Sequence, residues 1–212
     1  MPIVIHGLTF LAAYLLGSIP TGYLVGRARG VDIRTVGSKN MGATNVFRTV
    51  GKTLGILVLL ADAAKGWLAV VWLAPLMGHA FSPEVIPAGL KVVAGVGAIL
   101  GHNYTCWLQF KGGKGIATTG GVFLALAPWA LLMALAAWII VFAATRYVSV
   151  ASLTAAVVLP MATWFTTPNL ALRVVVGLVG AMAIWKHRKN IERLRAGTES
   201  RIEFGKKKGV TP

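Results

Sequence analysis

Residues 129–145 read WALLMALAAWIIVFAAT, a stretch without a charged side chain. Six further apolar blocks occur along the chain, at residues 3–26, 53–76, 85–102, 116–127, 148–166 and 170–185. Of the 212 residues, 56% are apolar and only 13% are charged, and the mean hydropathy is +0.73. One water-soluble core of this size cannot enclose so much hydrocarbon, so we expect the bilayer to act as the solvent. The sequence therefore predicts an all-α integral membrane protein.

The apolar blocks allow seven transmembrane helices, provided that residues 116–145 form a helical hairpin broken near Pro128. If that stretch is one tilted helix, the number of spans falls. A span needs roughly 20 residues, so the block 116–127 would have to be short or partly re-entrant. The first block is long and has no basic region before it, which favours a retained helix over a signal peptide. We treat residues 1–204 as one transmembrane domain and expect residues 205–212 to be a disordered basic tail.

Basic residues determine the expected orientation in the membrane. When seven spans are threaded alternately, 18 of the 21 Lys and Arg residues fall on one side. By the positive-inside rule that side is cytoplasmic, so the N-terminus is expected outside and the C-terminus inside the cytoplasmic (inner) cell membrane. This distribution, together with attraction to anionic lipid headgroups, explains the net charge of +15, and no nucleic-acid partner is implied. His6 and His79 fall on the outer side and are expected to have no role in chemistry.

The connection between the first two spans contains GVDIRTVGSKNMGATNVFR, residues 30–48, which is rich in Gly, Ser, Thr and Asn. Glycines allow successive backbone N–H groups to turn inward as a nest for an anion, and Arg48 offers a fork that matches phosphate. Further donors come from the side chains of Ser38, Asn40, Thr44 and Asn45. A simple helix connection needs about two to eight residues, and this one is much longer. The segment therefore predicts an anion site, with a merely polar turn as the alternative.

A second loop repeats this chemistry, running from GHNY at residues 101–104 to FKGGKGIAT at residues 110–118. The ammonium groups of Lys111 and Lys114 lie beside flexible backbone at the start of a helix, where the helix dipole also favours negative charge. Lys114 is followed by glycine, so the spacing is not that of a Walker A loop and nucleotide hydrolysis is not expected. Two such loops on one face predict a shared phosphate pocket.

Two further segments add polar groups to the same face. Ser149 ends the segment RYVS at residues 146–149, and the last span continues as a helix into WKHRKNIERL at residues 185–194. His187 and Asn190 are three residues apart and therefore share a face of that helix. The cations around His187 disfavour its protonation, so we expect a neutral imidazole that acts as acceptor or base, unless it is simply an interfacial side chain in water.

Asp62 and Lys65 lie inside the second span at positions i and i+3, so they can pair on one face of the helix. Ionisable groups within a membrane are candidates for function. A pair that holds helices together is an equally good interpretation.

Together, the four segments resemble the small bacterial membrane acyl-phosphate:glycerol-3-phosphate acyltransferases. The resemblance covers residues 10–201 and rests on the ordered motifs GSxNxGATN, GHxY with FKGGKG, RYxS and HRxNIxRL. It implies a seven-helix enzyme of the cytoplasmic membrane that moves a fatty acyl group from acyl phosphate to the 1-hydroxyl of sn-glycerol 3-phosphate. The products would be lysophosphatidic acid and phosphate, in a membrane step of phospholipid synthesis.

The resemblance also implies roles for individual residues. Ser38, Asn40, Thr44 and Asn45 would bind the acyl-phosphate headgroup, and Arg48, Lys114, Ser149, His187 and Asn190 the glycerol phosphate. The expected catalytic residues are His187, Lys114 and Arg48. The hydroxyl proton would pass either to His187 or to a substrate phosphate, and we favour the phosphate because a monoester has a second pKa of about 6.

No cofactor is expected, because an acyl phosphate is already activated and no Cys and His residues have the spacing of a zinc site. The single Cys106 excludes a disulfide within the chain. The implied partners are the two substrates and membrane lipid, with no obligatory protein partner. A membrane transporter for phosphorylated metabolites is the alternative, although the chain shows no internal repeat. A scaffold that binds anionic lipid would leave both glycine-rich loops unexplained.

Overall fold

The computed structural model describes residues 2–81 and 89–202. Within them the chain is helical and contains no strand, which confirms the predicted all-α class. The helices are α1 (Pro2–Ser18), α2 (Thr21–Ala28), α3 (Ala43–Thr49), α4 (Lys52–Leu68), α5 (Ala74–Phe81), α6 (Leu90–Asn103), α7 (Ile116–Leu126), α8 (Pro128–Thr145), α9 (Val148–Thr166), α10 (Leu170–Lys186) and α11 (Arg188–Arg195). The start of the third apolar block and the expected basic tail lie outside the described residues.

In the described part of the chain, four helical segments are long and apolar enough to cross a membrane. They are Ile3–Ala28, Lys52–Phe81, Pro128–Thr145 and Val148–Thr166. A fifth results if α10 and α11, which are bent by 50° relative to each other, are counted as one span. Helices α6 and α7 have 14 and 11 residues and do not reach this length. The chain is therefore a multi-pass membrane protein, and the count of seven spans stays a prediction.

Residues 116–145 divide into two helices at Ala127, whose φ and ψ are −152° and 70°. Pro128 begins α8, and proline both lacks an N–H donor and disfavours helical geometry in the residue before it. The predicted break is thus confirmed, and the alternative of one tilted helix is wrong. A second expectation also needs correction, because Gly101–Asn103 form the last turn of α6 and not a loop.

Glycines allow α1 and α6 to pack with their backbones in contact. A Cβ atom at Gly17 would collide with the backbone of Ala98, and one at Gly101 would collide with the backbone of Tyr14. Gly97 lies against α1 in the same way. These contacts hold the end of α6, from which the second predicted loop leaves, firmly against the end of α1.

Candidate functional site

Two adjoining cavities, of about 280 and 340 Å³, lie where the predicted segments meet. The walls shared by both are Ser38, Lys39, Lys189 and Arg193. The first cavity is also lined by Asn40, Lys111, Gly112, Gly113, Lys114, Trp185, Lys186, Arg188 and Asn190, and the second by Gly37, Arg48, Glu199 and Ser200. Among the described residues, Glu199 is the one acidic side chain on these walls, so the site is strongly cationic.

Most of the predicted site residues are brought together here. Those on the cavity walls are Ser38, Asn40, Arg48, Lys114 and Asn190. Ser149 and His187 are buried, with 4% and 3% of their surface exposed, and both interact with groups on those walls. Thr44 and Asn45, in the first turn of α3, line neither cavity.

Asn45 holds the first loop in shape. Its amide nitrogen donates to the carbonyls of Ile33, Val36 and Asn40 at 2.8, 3.2 and 2.9 Å, and its Oδ1 accepts from the Ser38 N–H at 3.0 Å. Only 2% of the residue is exposed. The side chain therefore serves the loop backbone, which favours an indirect role over the predicted contact with the acyl-phosphate headgroup.

Replacing Asn45 with Asp is expected to loosen this loop, because a carboxylate cannot donate and would face three carbonyl oxygens. With about 1 kcal/mol lost for each hydrogen bond and a further cost for the unpaired carbonyls, we expect kcat/KM to fall by about a hundredfold. Trypsin cleavage at the exposed Lys39 should also become faster. Asn40→Asp is the matched control for loop order, since Asn40 Oδ1 only accepts, from the Gly42 N–H at 2.9 Å. Equal cleavage rates in both variants would contradict this role.

Lys114 is the first member of a series of polar contacts that continues through the segment 185–194. Its ammonium donates to Asn190 Oδ1, and Asn190 Nδ2 donates to Glu199 Oε1 at 2.7 Å. Arg193 Nε donates to the second carboxylate oxygen, also at 2.7 Å. Burial lowers the pKa of Lys114 to about 8, with Glu199 opposing and Arg193 and Arg48 reinforcing the shift. At pH 7 the group is still mostly protonated, so it can bind a phosphate as a cation.

Glu199 is a residue of these cavity walls that the sequence did not predict. Burial raises the pKa of its carboxyl, but the hydrogen bonds from Asn190 and Arg193 lower it more, and the pKa ends below its usual value. The buried Ser149 hydroxyl faces this carboxylate and also lowers the pKa, although no hydrogen bond of good geometry reaches it. A left-handed turn at Gly197, with φ of 69°, returns the chain towards α11. In the sequence Glu199 is one of three glutamates in the basic C-terminal region, and spacing alone does not connect it to Asn190.

Residues 199–202 form hydrogen bonds with both the loop 30–48 and the segment 146–149. Arg48 Nη2 donates to the Ser200 carbonyl at 2.8 Å, and the Ile202 N–H donates to the Arg146 carbonyl at 3.0 Å. Burial lowers the pKa of Arg48, while Glu199 opposes this shift. In the described part of the chain, the buried Nε of Arg48 has no hydrogen-bond partner, so it remains available as a donor to a phosphate.

His187 follows the last residue of α10, at the bend before α11. Its Nδ1 lies 2.7 Å from the Ala183 carbonyl. Because a carbonyl can only accept, we assign the proton to Nδ1, which leaves the lone pair on Nε2. Burial, reinforced by Lys114, lowers the pKa of His187 to about 4. A pKa of about 4 favours the expected neutral imidazole, with burial and not the neighbouring charge as the main cause.

Lys186 is a further cavity residue that the sequence analysis treated only as a topological charge. Its Nζ donates to the Asn103 carbonyl at 2.7 Å and lies 3.8 Å from the centre of the Tyr104 ring. The fourth segment therefore contributes a second fixed ammonium group, one residue before His187.

A membrane-embedded helical bundle with a cationic cavity built from glycine-rich loops is typical of a protein that binds phosphorylated ligands. The sequence matches the family model for glycerol-3-phosphate acyltransferase over residues 7–197. The glycerol-3-phosphate acyltransferase of Geobacter metallireducens is 52% identical over 201 residues, which cover 94% of this chain and 99% of that protein. The corresponding protein of Thermosynechococcus vestitus is 45% identical over 205 residues, covering 94% and 96%.

Solved structures give the same result. The crystal structure of PlsY, an integral membrane glycerol 3-phosphate acyltransferase, in its glycerol 3-phosphate form superimposes with a TM-score of 0.83 at 36% identity, covering 93% of this chain and 96% of that one. The lysophosphatidic acid form gives a TM-score of 0.80 at 35% identity, covering 93% and 95%. The chain belongs to the glycerol-3-phosphate acyltransferase family and is an acyltransferase.

Proposed function

We propose that the chain transfers a fatty acyl group from acyl phosphate to the 1-hydroxyl of sn-glycerol 3-phosphate, giving lysophosphatidic acid and phosphate for phospholipid synthesis. The main supporting observation is a pair of adjoining cationic cavities, one lined by Lys114 and the other by Arg48, with the buried His187 imidazole close to Lys114. Both substrates are phosphates, and the fatty chain can stay in the bilayer while the loops hold the headgroups. The glycerol 3-phosphate and lysophosphatidic acid forms of PlsY support the identity of acceptor and product.

In this reaction the two phosphates have separate binding groups. Glycerol 3-phosphate is bound by Arg48, Lys114, Ser149, His187 and Asn190. The acyl-phosphate headgroup is held by Ser38, Asn40, Thr44 and the loop backbone, which Asn45 keeps in shape. Cationic groups fixed in a partly dehydrated cavity stabilise the charge on the departing phosphate more strongly than water does.

The chemical step joins the acceptor oxygen to the acyl carbonyl carbon and breaks the bond from that carbon to the phosphate oxygen. The hydroxyl proton passes to a phosphate oxygen of glycerol 3-phosphate and from there to the departing phosphate, which leaves as HPO₄²⁻. A phosphate monoester, with a second pKa of about 6, is a stronger base than His187, whose pKa is about 4. His187 Nε2 is then left to accept a hydrogen bond from the hydroxyl and to orient it towards the carbonyl.

Replacing His187 with Gln is expected to raise KM for glycerol 3-phosphate by about tenfold and to lower kcat by less than about tenfold, since orientation and not proton transfer is lost. Steady-state phosphate release at several concentrations of the acceptor measures both constants. His79→Gln, at an exposed position in α5 away from the cavities, is the control. A fall in kcat of several hundredfold with unchanged KM would make His187 the general base.

We also propose seven spans within a single domain of residues 1–204, with the N-terminus outside and the site on the cytoplasmic side of the cytoplasmic membrane. The 11 residues of α7 extend over about 16 Å, roughly half of the hydrocarbon thickness, so this span is short or partly re-entrant. In a Cys106→Ser background, Lys91→Cys should react with an impermeant maleimide from outside and Lys52→Cys only after lysis. The opposite pattern would reverse the orientation.

The function is tested with purified protein in detergent or lipid, given palmitoyl phosphate with and without sn-glycerol 3-phosphate. Phosphate release that depends on the acceptor, together with formation of palmitoyl-lysophosphatidic acid, is the expected result. Absence of turnover in folded protein, combined with uptake of glycerol 3-phosphate into proteoliposomes, would favour the transporter instead.

A further inference from the structure

A buried polar cluster lies inside the bundle, beneath the second loop. The Asp62 Oδ1 atom accepts from Lys65 Nζ at 2.8 Å, as the spacing predicts, and from Thr21 Oγ1 at 2.9 Å. Lys65 Nζ also donates to the Ile19 carbonyl, at 3.0 Å. Asp62 and Lys65 are only 2% and 5% exposed. The cluster therefore connects α4 to the break between α1 and α2.

His102, in the last turn of α6, extends this cluster to the phosphate loop. Its Nδ1 lies 3.5 Å from Asp62 Oδ1, an electrostatic contact without the geometry of a hydrogen bond, and the residue is 3% exposed. Its carbonyl accepts from the Gly113 N–H at 3.0 Å, and a Cβ atom at Gly113 would collide with the imidazole ring. The imidazole of His102 is thus held between the carboxylate of Asp62 and the backbone of Gly113, the residue before Lys114.

The other side of the loop is fixed by the same helix. Gly66, in α4, faces the backbone of Thr118 so closely that a Cβ atom there would collide with the Thr118 carbonyl. Helix α7, which carries Thr118, begins two residues after Lys114. Helix α4 therefore supports Lys114 from the Gly113 side through Asp62 and His102, and from the α7 side through Gly66.

We propose that Asp62 and His102 are positioning residues for Lys114, because the carboxylate faces the imidazole Nδ1 and the imidazole ring lies directly against the Gly113 backbone. A role in stability alone explains the cluster poorly, since a buried ion pair is often replaced by apolar residues without loss of stability. Apolar residues could also hold α4 against α6, but they would not fix the position and direction of the Lys114 side chain. The inference rests on the proposed function only in taking Lys114 as a ligand of substrate phosphate.

Two variants test this role. His102→Ala removes the imidazole that contacts Gly113. Asp62→Asn combined with Lys65→Met removes both charges together, so that no unpaired charge remains in the membrane. Both variants are expected to raise KM for glycerol 3-phosphate by about tenfold, the effect of one misplaced charge-assisted contact, with a smaller change in kcat. Thr163→Ala is the matched control, because it also removes a fully buried hydrogen-bonding group, but in α9 and away from the loop.

A second readout does not depend on catalysis. Brief treatment with acetic anhydride, followed by peptide mass spectrometry, gives the labelling rate of Lys114 relative to the exposed Lys111 of the same loop. This ratio should change several-fold in both test variants and stay constant in Thr163→Ala. If the parent protein transfers no acyl group, the proposed function fails, and the labelling ratio alone then decides the inference. Folded variants with parental KM and parental labelling would overturn it.

Discussion

Replacing Lys114 with Ala is expected to lower kcat/KM for glycerol 3-phosphate by about a thousandfold, the upper range for removal of one preorganised charge-stabilising group. The variant loses a buried ammonium group and also leaves Asn190 Oδ1 without its donor. Acceptor-dependent phosphate release from palmitoyl phosphate measures the effect. Lys52→Ala is the control, since Lys52 is exposed in the first turn of α4 and lines neither cavity. Similar losses in both variants would show that general positive charge, and not this ammonium group, is what matters.

The pH dependence of KM provides a second test of Lys114. Its pKa in the folded protein is about 8, so the ammonium is present below that pH and is lost as the pH rises through it. Above pH 8, KM for glycerol 3-phosphate should therefore increase by about tenfold per pH unit until binding by the neutral amine takes over. In Lys114→Arg this increase in KM should disappear, because a guanidinium stays charged. Lys114 faces Asn190, Glu199, Arg193 and Arg48. Lys186 lines the same cavity and burial lowers its pKa to about 8 as well, so the two proteins are compared in a Lys186→Arg background. Parallel profiles for both proteins would contradict the assignment.

Replacing Glu199 with Ala is expected to lower kcat/KM by at least about a hundredfold and also to destabilise the protein by about 1 to 2 kcal/mol, because the carboxylate is buried but the side chain of its partner Arg193 is 35% exposed. The change leaves Arg193 without its carboxylate and Asn190 Nδ2 without its acceptor, so the contact that orients Asn190 towards Lys114 is lost. Kinetics and thermal unfolding in the same detergent measure the two effects. The carboxylate acts at neutral pH, and its contribution should be lost only as the pH falls through a pKa below 4.5.

Glu192→Ala is the matched control for Glu199, since it removes the same charge from an exposed position on α11. It should leave kcat/KM within about twofold of the parent value and the unfolding temperature within a few degrees of it. Glu199→Gln separates charge from shape, because the amide oxygen can still accept from Asn190 while the ion pair with Arg193 is lost. An activity of Glu199→Ala equal to that of Glu192→Ala would remove Glu199 from the site.

Local patterns were sufficient to predict the all-α class, the break at Pro128 and the segments that line the cavities, but not helix α3, which lies within the predicted first loop. Pro128 marks a helix start through its own backbone chemistry, and the i, i+3 spacing of Asp62 and Lys65 alone predicts their contact. Lys114 and Asn190 were found because glycine-rich cationic loops and helical spacing are visible in a single sequence. Such signals act over a few residues, and the structure places Lys114 and Asn190 on the walls of one cavity.

Contacts between distant segments could not be predicted in this way. Glu199 meets Ser149 and Asn190 only because the chain reverses at Gly197, and no local pattern states where the reversed segment will lie. His102 meets Asp62 across two helices, and the two residues are 40 positions apart in the sequence. Asn45 was predicted to bind the acyl-phosphate headgroup, but its amide nitrogen donates to three backbone carbonyls of its own loop.

The glycine contacts between α1 and α6 affect how genetic data on this protein should be interpreted. An alanine scan normally deletes atoms, but at Gly17, Gly97 and Gly101 it would insert a methyl group into the backbone of the neighbouring helix. Such alleles would reduce the number of correctly assembled molecules, while each surviving molecule kept its full turnover. A growth screen would rank them beside Lys114 and Glu199 as essential, and only turnover normalised to folded protein would separate the two groups.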